Sequence, residues 1–138
     1  MMRKHLAVLK REYIGALIAG RKTIEARLTR TRREPWGQIE AGDFVYLKRV
    51  GGGVCGTARV AGVKSFEGLD EAGVAEIKER YNSEILGDEE YWGQKSDSRY
   101  GVLVWLDDVK AVESVQISKR DQVAWRVLRE DLNYGLGY

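Results

Sequence analysis

The spacing of apolar residues changes at Gly20, from the period of a helix to that of a strand. Before it, apolar side chains recur on one helix face, at Tyr13, Ile14, Leu17 and Ile18. This spacing predicts a helix from about Lys10 to Ala19. Gly20 is expected to end that helix, because glycine readily adopts the left-handed conformation of a helix C-terminus. From Lys22 to Leu28 the period becomes two, which predicts a strand.

The strand predicted from Lys22 to Leu28 has one apolar and one polar face. Alternation places three apolar residues on the first face, namely Ile24, Ala26 and Leu28. The polar residues Thr23, Glu25 and Arg27 fall on the second face. Lys22 stands at the corner between helix and strand, from which its long side chain can reach the same space. The pattern therefore predicts a charged cluster of Lys22, Glu25 and Arg27.

Four further strands are indicated by alternating or continuous apolar runs. They lie near Leu6–Leu9, Asp43–Lys48, Val54–Lys64 and Tyr100–Leu106. Gly51-Gly52-Gly53 predicts a hairpin turn between the second and third of these strands. Asp70 can cap a helix that extends to about Tyr81, and the segment from Asn82 to Ser98 is predicted as a loop with room for one helical turn.

The last part of the chain fits two interpretations. The spacing of Ser118 and Asp121 suggests the start of a helix, whereas Gln122 to Leu128 fits a strand equally well, and both stay open. Together the elements predict an α+β fold that is mostly β, a small mixed-sheet β-barrel with two or three flanking helices. A chain of 138 residues makes one domain. We expect this domain at residues 1–130 and a loose C-terminal tail at residues 131–138.

Composition narrows the class of protein. The single cysteine, Cys55, excludes an internal disulfide and fits a reducing compartment. There is neither an apolar run long enough to span a bilayer nor a secretory signal, so we expect a cytoplasmic protein without a membrane partner. His5 and Cys55 lack the spacing of metal ligands, so no metal and no other cofactor is expected.

Charge is unevenly distributed along the chain, although the net charge is only +2. Residues 1–49 carry twelve Lys and Arg against five Asp and Glu, while residues 67–90 carry two against nine. The cationic excess is densest just after the helix, at Arg21, Lys22, Arg27, Arg30, Arg32 and Arg33. Such a cluster is a plausible footprint for a phosphate backbone, and a solvated basic strand and loop is the alternative.

Two aromatic sites are candidates for stacking on an unpaired base. Trp36 follows the only proline in the basic loop, and Tyr91 stands beside Trp92 in the predicted loop before the last long strand. The alternative for both sites is ordinary packing. The remaining large aromatic residues, Phe44, Trp105 and Trp125, are expected in the core.

The segment from Gly20 to Arg27 resembles a known family signature. Its pattern Gly-x-Lys-x-x-Glu-x-Arg is that of the ASCH domains, which are related to the PUA fold. The resemblance extends over roughly residues 5–113, through the first helix, the strand that starts at Ala41 to Tyr46 and the strand from Arg99 to Val104. It implies a PUA-like fold. Members of this family are described as RNA binders, nucleases and amidohydrolases.

The charge pattern and the resemblance together suggest an RNA-binding or nucleotide-binding protein. In this hypothesis Lys22 and Arg27 contact phosphate or a base carbonyl in a basic cleft, and Glu25 orients them. Three arginines form the rim and two aromatic residues stack on a base; these are Arg30, Arg32, Arg33, Trp36 and Tyr91. The expected partner is RNA or a modified nucleoside.

Three alternatives involve the same residues. One branch of the family, the small N4-acetylcytidine amidohydrolases, implies catalysis by Lys22, but the position of its catalytic threonine is Glu25 here; Thr23 aligns with the neighbouring threonine. The catalytic helix glutamate of that branch has two candidates by position, Glu76 and Glu79. A metal-independent ribonuclease would use Lys22 with Glu25 or Tyr91. The third alternative is a structural ion network of Lys22, Glu25 and Arg27 that only stabilises the fold.

Overall fold

The computed structural model describes residues 2–136, which form six strands and three helices. In chain order these are β1 (Lys4–Leu9), α1 (Arg11–Ile18), β2 (Ile24–Thr29), β3 (Phe44–Arg49), β4 (Val54–Glu67), α2 (Glu71–Ile85), α3 (Glu89–Lys95), β5 (Tyr100–Val115) and β6 (Trp125–Val127). No helix in this part of the chain is both long enough and apolar enough to cross a membrane.

All six strands belong to one curled sheet. Their order is β2, β5, β4, β3, β1, β6, with β1 and β3 parallel and every other pair antiparallel. The pairing of β4 with β3 and β5 shifts register at several points, and such bulges bend a sheet strongly. The result is a half-barrel that confirms the predicted α+β, mostly β fold. Its two edge strands, β2 and β6, do not pair with each other.

The sheet has a core on each face. The larger core lies inside the curl and includes Ile14 and Leu17 of α1 together with Trp125. The second core lies between the outer face of β2 and β5 and the helices α2 and α3; there Ile24, Ala26 and Leu28 are buried, as the alternation predicted. The polar face of β2 therefore points to the open side of the curl.

The helix–strand switch at Gly20 is confirmed. Gly20 has a φ of 79° and donates its backbone N–H to the carbonyl of Leu17. The hairpin at Gly51-Gly52-Gly53 is also confirmed, since it joins the antiparallel strands β3 and β4. Trp125 is buried as expected, whereas Phe44 and Trp105 are only half-buried.

The segment predicted as a loop, Asn82 to Ser98, is mostly helical. Helix α2 continues to Ile85, and α3 begins after Asp88, whose side chain accepts a hydrogen bond of 2.7 Å from the backbone N–H of Tyr91. The prediction of a single helical turn underestimated α3, because Gly87 and the run of charged residues hide its short periodicity. Strand β5 is also longer than predicted, since its exposed second half is held by pairing with β4 and not by an apolar pattern.

The helix suggested at Ser118 is wrong, and the strand alternative is confirmed. Asp121 does not cap a helix of its own but accepts hydrogen bonds from the backbone N–H of Val123 and from Lys119. Strand β6 then pairs with β1. Near the C-terminus, the Tyr134 hydroxyl donates to Asp121 at 2.6 Å. Gly137 and Tyr138 lie outside the described residues, and the domain boundary at residue 130 stays a prediction.

Candidate functional site

A cleft of about 950 Å³ opens where the half-barrel fails to close, between β2 and the strand pair β1–β6. We call it the seam cleft. Arg27 of β2 crosses the gap, since its Nη2 donates to the Val8 carbonyl at 3.0 Å and its Nη1 approaches the Ala124 carbonyl at 3.4 Å. Helix α3 and the loop after β2 form the two side walls.

Lys22 is buried behind the wall of the seam cleft and is not part of its lining. The side chain is 2% exposed, and its Nζ donates to the carbonyls of Ile24 at 2.8 Å and Ile85 at 2.6 Å. Ile85 is the last residue of α2, where carbonyls lack helical donors and a cation is favoured. Nζ also forms an ion pair of 3.2 Å with Glu25. An ammonium group has three hydrogens, so each one has a partner.

Glu25 connects Lys22 to the seam cleft. One carboxylate oxygen faces Lys22, while the other lies 2.6 Å from Arg27 Nη2. The side chain lines the cleft although Glu25 is only 7% exposed. Burial lowers the pKa of Lys22 below its ordinary value, and the charge of Glu25 opposes that shift. The predicted charged cluster therefore exists as a chain of contacts from Lys22 through Glu25 to Arg27.

Thr23 is not in the lining of the seam cleft. Its Oγ1 is buried and has no hydrogen-bond partner within residues 2–136. Its backbone N–H donates to the carbonyl of Glu84, which ties the start of β2 to the end of α2. The pairing of Thr23 with Glu25 as nucleophile and base, which adjacency in sequence suggested, is therefore absent from this arrangement.

The two candidate helix glutamates also lie outside the lining of the seam cleft. Glu76 and Glu79 lie on exposed positions of α2, and neither lines the seam cleft. Glu76 instead pairs with Arg80 on the same helix at 3.7 Å. Within residues 2–136, no three His, Cys, Asp or Glu side chains gather closely enough to hold a metal ion.

The three rim arginines occupy two different places. Arg32 and Arg33 line the seam cleft, on the loop that follows β2. Arg30 does not line it, and its guanidinium pairs with Asp97 at 2.6 Å on the exposed surface. The three arginines are close in sequence, but the turn after β2 places Arg30 on the outer surface of the protein, away from the cleft.

Both candidate stacking residues line the seam cleft, although neither presents a bare ring. Trp36 Nε1 donates to the Phe66 carbonyl at 2.9 Å, and the Arg32 guanidinium lies 4.5 Å from the centre of its ring. The Tyr91 hydroxyl approaches the carbonyl of Ala26 at 3.3 Å. Burial raises the pKa of Tyr91 above its ordinary value, so the group stays protonated as a hydrogen-bond donor.

Lys95 also lines the seam cleft, although it is not among the site residues predicted from the sequence. It lies on α3 one turn after Tyr91, and its Nζ is 5.6 Å from the centre of that ring. Burial lowers the pKa of Lys95, and the nearby charge of Arg27 lowers it further. The signal was the spacing from Asp88 through Tyr91 to Lys95, which identifies a capped helix with both side chains on one face.

A buried network supports the floor of the seam cleft. Trp125, whose ring lies 5.2 Å below the Arg27 guanidinium, donates its Nε1–H to His5 Nδ1 at 3.0 Å. Since Nδ1 must accept, the proton of a neutral His5 is on Nε2, which faces Asp43 at 2.8 Å. Asp43 also accepts the backbone N–H of Arg3. Nothing in the sequence around His5 indicates this network, because its partners Asp43 and Trp125 lie 38 and 120 residues away in the chain.

The His5 network should make stability depend on pH. Burial lowers the pKa of His5 in the folded protein. Below about pH 6.5 the unfolded chain therefore binds more protons than the folded one, and the folded protein becomes less stable as the pH decreases. We therefore expect the free energy of unfolding to decrease as the pH is lowered from about 7 to about 5.5. Chemical denaturation at several pH values measures it. His5→Gln should be less stable but flatter in this range, and an equally steep profile in that variant would contradict the assignment.

Comparison with known proteins places the chain in a family. The family model of the ASCH domain matches residues 8–116. The fold is similar to the crystal structure of ASCH from Zymomonas mobilis, with a TM-score of 0.71 and 16% identity over 93% of this chain and 89% of that one. A tyrosine-to-phenylalanine mutant of the same bacterial protein gives 0.71 at 16% identity, covering 93% of this chain and 91% of the other.

At these identities the structural likeness shows a shared fold. Among curated proteins, none matches this chain closely enough to count as a relative. The family match, by contrast, spans most of the chain and includes the glycine, lysine, glutamate and arginine at the helix–strand switch. This protein belongs to the ASCH domain family.

Proposed function

We propose that this protein binds single-stranded RNA in the seam cleft, with phosphates held at the rim and one base held between the walls. The observation that carries the proposal is that the same cleft holds planar side chains and cations that have no carboxylate partner among residues 2–136. The cations are Lys10, Arg32, Arg33 and Lys95, and the planar side chains are those of Trp36 and Tyr91.

The four rim cations differ from the other charged residues of the cleft. Arg27 and Arg126 pair with Glu25 and Glu34. None of the four forms an ion pair with a carboxylate of residues 2–136. Cations without a carboxylate partner are those that a phosphate can neutralise, with release of its counterions. Their position supports a phosphate path along the mouth of the cleft.

The inner wall offers groups suited to the edge of a base. Glu25 supplies a carboxylate, which can accept a hydrogen bond from the exocyclic amino group of a base. Arg27 also lines the cleft, and its partly exposed guanidinium can donate to a base carbonyl. Lys22 would act from behind, by holding Glu25 in position. The cleft volume of about 950 Å³ is ample for one nucleotide.

RNA affinity should depend steeply on salt. If the rim cations contact three to four phosphates, the log–log slope of affinity against salt should be about −2 to −3. A labelled ten-nucleotide single-stranded RNA, titrated by fluorescence anisotropy at several salt concentrations, measures it. In the double variant Arg33→Ala/Lys95→Ala the slope should become shallower by about 1.4.

The matched control is Arg80→Ala/Arg129→Ala, which removes the same charge from exposed ion pairs outside the cleft. We expect this control to retain the wild-type slope. Equal slopes for both double variants would mean that binding follows net charge and not the seam cleft. Absence of RNA binding by the wild-type protein at low salt would refute the proposed function.

A hydrolytic reaction is the second candidate, because Glu25 brings a carboxylate to the cleft wall. It could serve as the base of an amidohydrolase acting on an N4-acylated cytidine-type nucleoside, or of a metal-independent ribonuclease. A nucleophile is harder to assign, since Lys22 is fully hydrogen-bonded and Thr23 lies outside the lining. Incubation of the wild-type protein with N4-acetylcytidine and with single-stranded RNA, followed by mass spectrometry, distinguishes an enzyme from a binding protein. Deacetylated nucleoside or cleaved RNA would support an enzyme. Intact substrates would exclude these two reactions.

A further inference from the structure

Arg32 lies on a support made of two aromatic rings. Its guanidinium is 4.5 Å from the centre of the Trp36 ring and 5.6 Å from that of Tyr100. The two rings meet edge to face, with centres 5.6 Å apart and planes at 83°. The hydrogen bond from Trp36 Nε1 to the Phe66 carbonyl fixes the indole. The Arg32 guanidinium therefore lies over two half-buried aromatic residues.

The N–H donors of the Arg32 guanidinium have no hydrogen-bond partner among residues 2–136. The residue is exposed and lines the seam cleft. Among residues 2–136 it has neither a carboxylate partner nor a side-chain hydrogen bond, although its guanidinium carries five N–H donors. Its neighbours in the loop differ, since Arg30 is paired with Asp97 and Arg33 donates to Thr31.

We propose that Arg32, and not Trp36 directly, is the surface on which an RNA base stacks. This inference rests on the proposed function of the seam cleft. The base would lie on the outer face of the guanidinium, which would then be layered between the base and the Trp36 ring. A guanidinium is planar and weakly hydrated, so it can stack on both sides, which a lysine ammonium cannot do.

The position of Arg32 also determines what Trp36 can do. The ring face that Arg32 covers is not open to a base while Arg32 stays in place. The role of Trp36 is then to hold the guanidinium plane at the angle required for stacking. Arg32 thus acts through its planar shape as well as its charge, whereas the other rim cations, such as Arg33 and Lys95, act through charge alone.

The substitution Arg32→Lys separates shape from charge. It keeps the cation and removes the plane, so we expect affinity for a ten-nucleotide oligouridylate to fall about tenfold, with an unchanged salt slope. The control Arg30→Lys, at an exposed residue that pairs with Asp97 outside the seam cleft, should stay within about twofold of the wild type. Inorganic polyphosphate serves as a probe without bases, and its affinity should be the same for wild type and Arg32→Lys.

Several results would overturn the inference. Wild-type affinity of Arg32→Lys for the oligouridylate would show that charge alone matters. An equal loss of affinity for polyphosphate in Arg32→Lys would show that Arg32 binds phosphate through two parallel N–H donors. Tighter binding by Arg32→Ala would show that the base stacks on Trp36 itself once Arg32 is removed. These outcomes leave RNA binding intact, whereas the absence of wild-type binding would refute the proposed function and this inference with it.

Discussion

Replacement of Glu25 by glutamine is expected to lower the free energy of unfolding by about 3 to 5 kcal/mol. The substitution keeps the size of the side chain and removes its charge, so no cavity contributes to the loss. Lys22, at 2% exposure, would then keep a buried positive charge without a counterion, and Arg27 would lose its contact of 2.6 Å. Urea unfolding of wild type and variant measures the difference directly.

The exposed pair of Arg30 and Asp97 provides a matched control. Asp97→Asn makes the same change of carboxylate to amide, in a contact that is also 2.6 Å long. Its side chains are 76% and 52% exposed, so water and salt screen the charges and we expect less than about 1 kcal/mol. If Glu25→Gln cost no more than Asp97→Asn, the buried network would not stabilise the fold.

Replacement of Lys22 by methionine should have a comparable effect, about 3 kcal/mol or more. Methionine has a similar length and can fill the space, but it donates no hydrogen bond. The carbonyls of Ile24 and Ile85 would lose their donor, and Glu25 would keep only Arg27. The end of α2 would also lose its cation, so we expect its amides to exchange hydrogen faster. Urea unfolding combined with hydrogen exchange measures both effects.

The control for this substitution is Lys78→Met, on the outer side of α2. Lys78 pairs with Glu89 at 3.4 Å, and that carboxylate is 94% exposed, so the change should be small. A Lys22→Met variant with wild-type stability would mean that Lys22 is kept for contact with a ligand and not for the fold. This result would also restore Lys22 as a candidate nucleophile.

The signature residues thus have different neighbours despite lying within eight positions of the chain. Gly20 permits the turn, Lys22 joins the end of α2 to β2, and Arg27 bridges the open side of the sheet. Glu25 contacts both cations and also faces the cleft. The structural interpretation and the proposed binding role are therefore compatible, because Lys22 is buried behind the cleft wall whereas Glu25 both pairs with it and faces the cleft.

The local sequence determined the elements whose signal is periodic. The helical spacing before Gly20 and the alternation after it predicted α1, β2 and the face on which Glu25 and Arg27 lie. Local patterns suffice here because side-chain direction in a helix or strand follows from the backbone period alone. The same patterns predicted the mostly β, α+β class. They underestimated α3, whose seven residues contain too few turns for a clear apolar period, so that the capping residue Asp88 is its main sequence signal.

Only the tertiary structure decided which groups distant in sequence meet. Lys22 is buried because the carbonyl of Ile85, 63 residues away, needs a donor at the end of α2. Lys95 enters the cleft and Arg30 leaves it because a short helix and a turn place them, whatever their distance from the signature in sequence. His5 depends on Trp125, 120 residues later, for its hydrogen bond. Such partners are brought together by chain packing, and a period along the sequence carries no information about them.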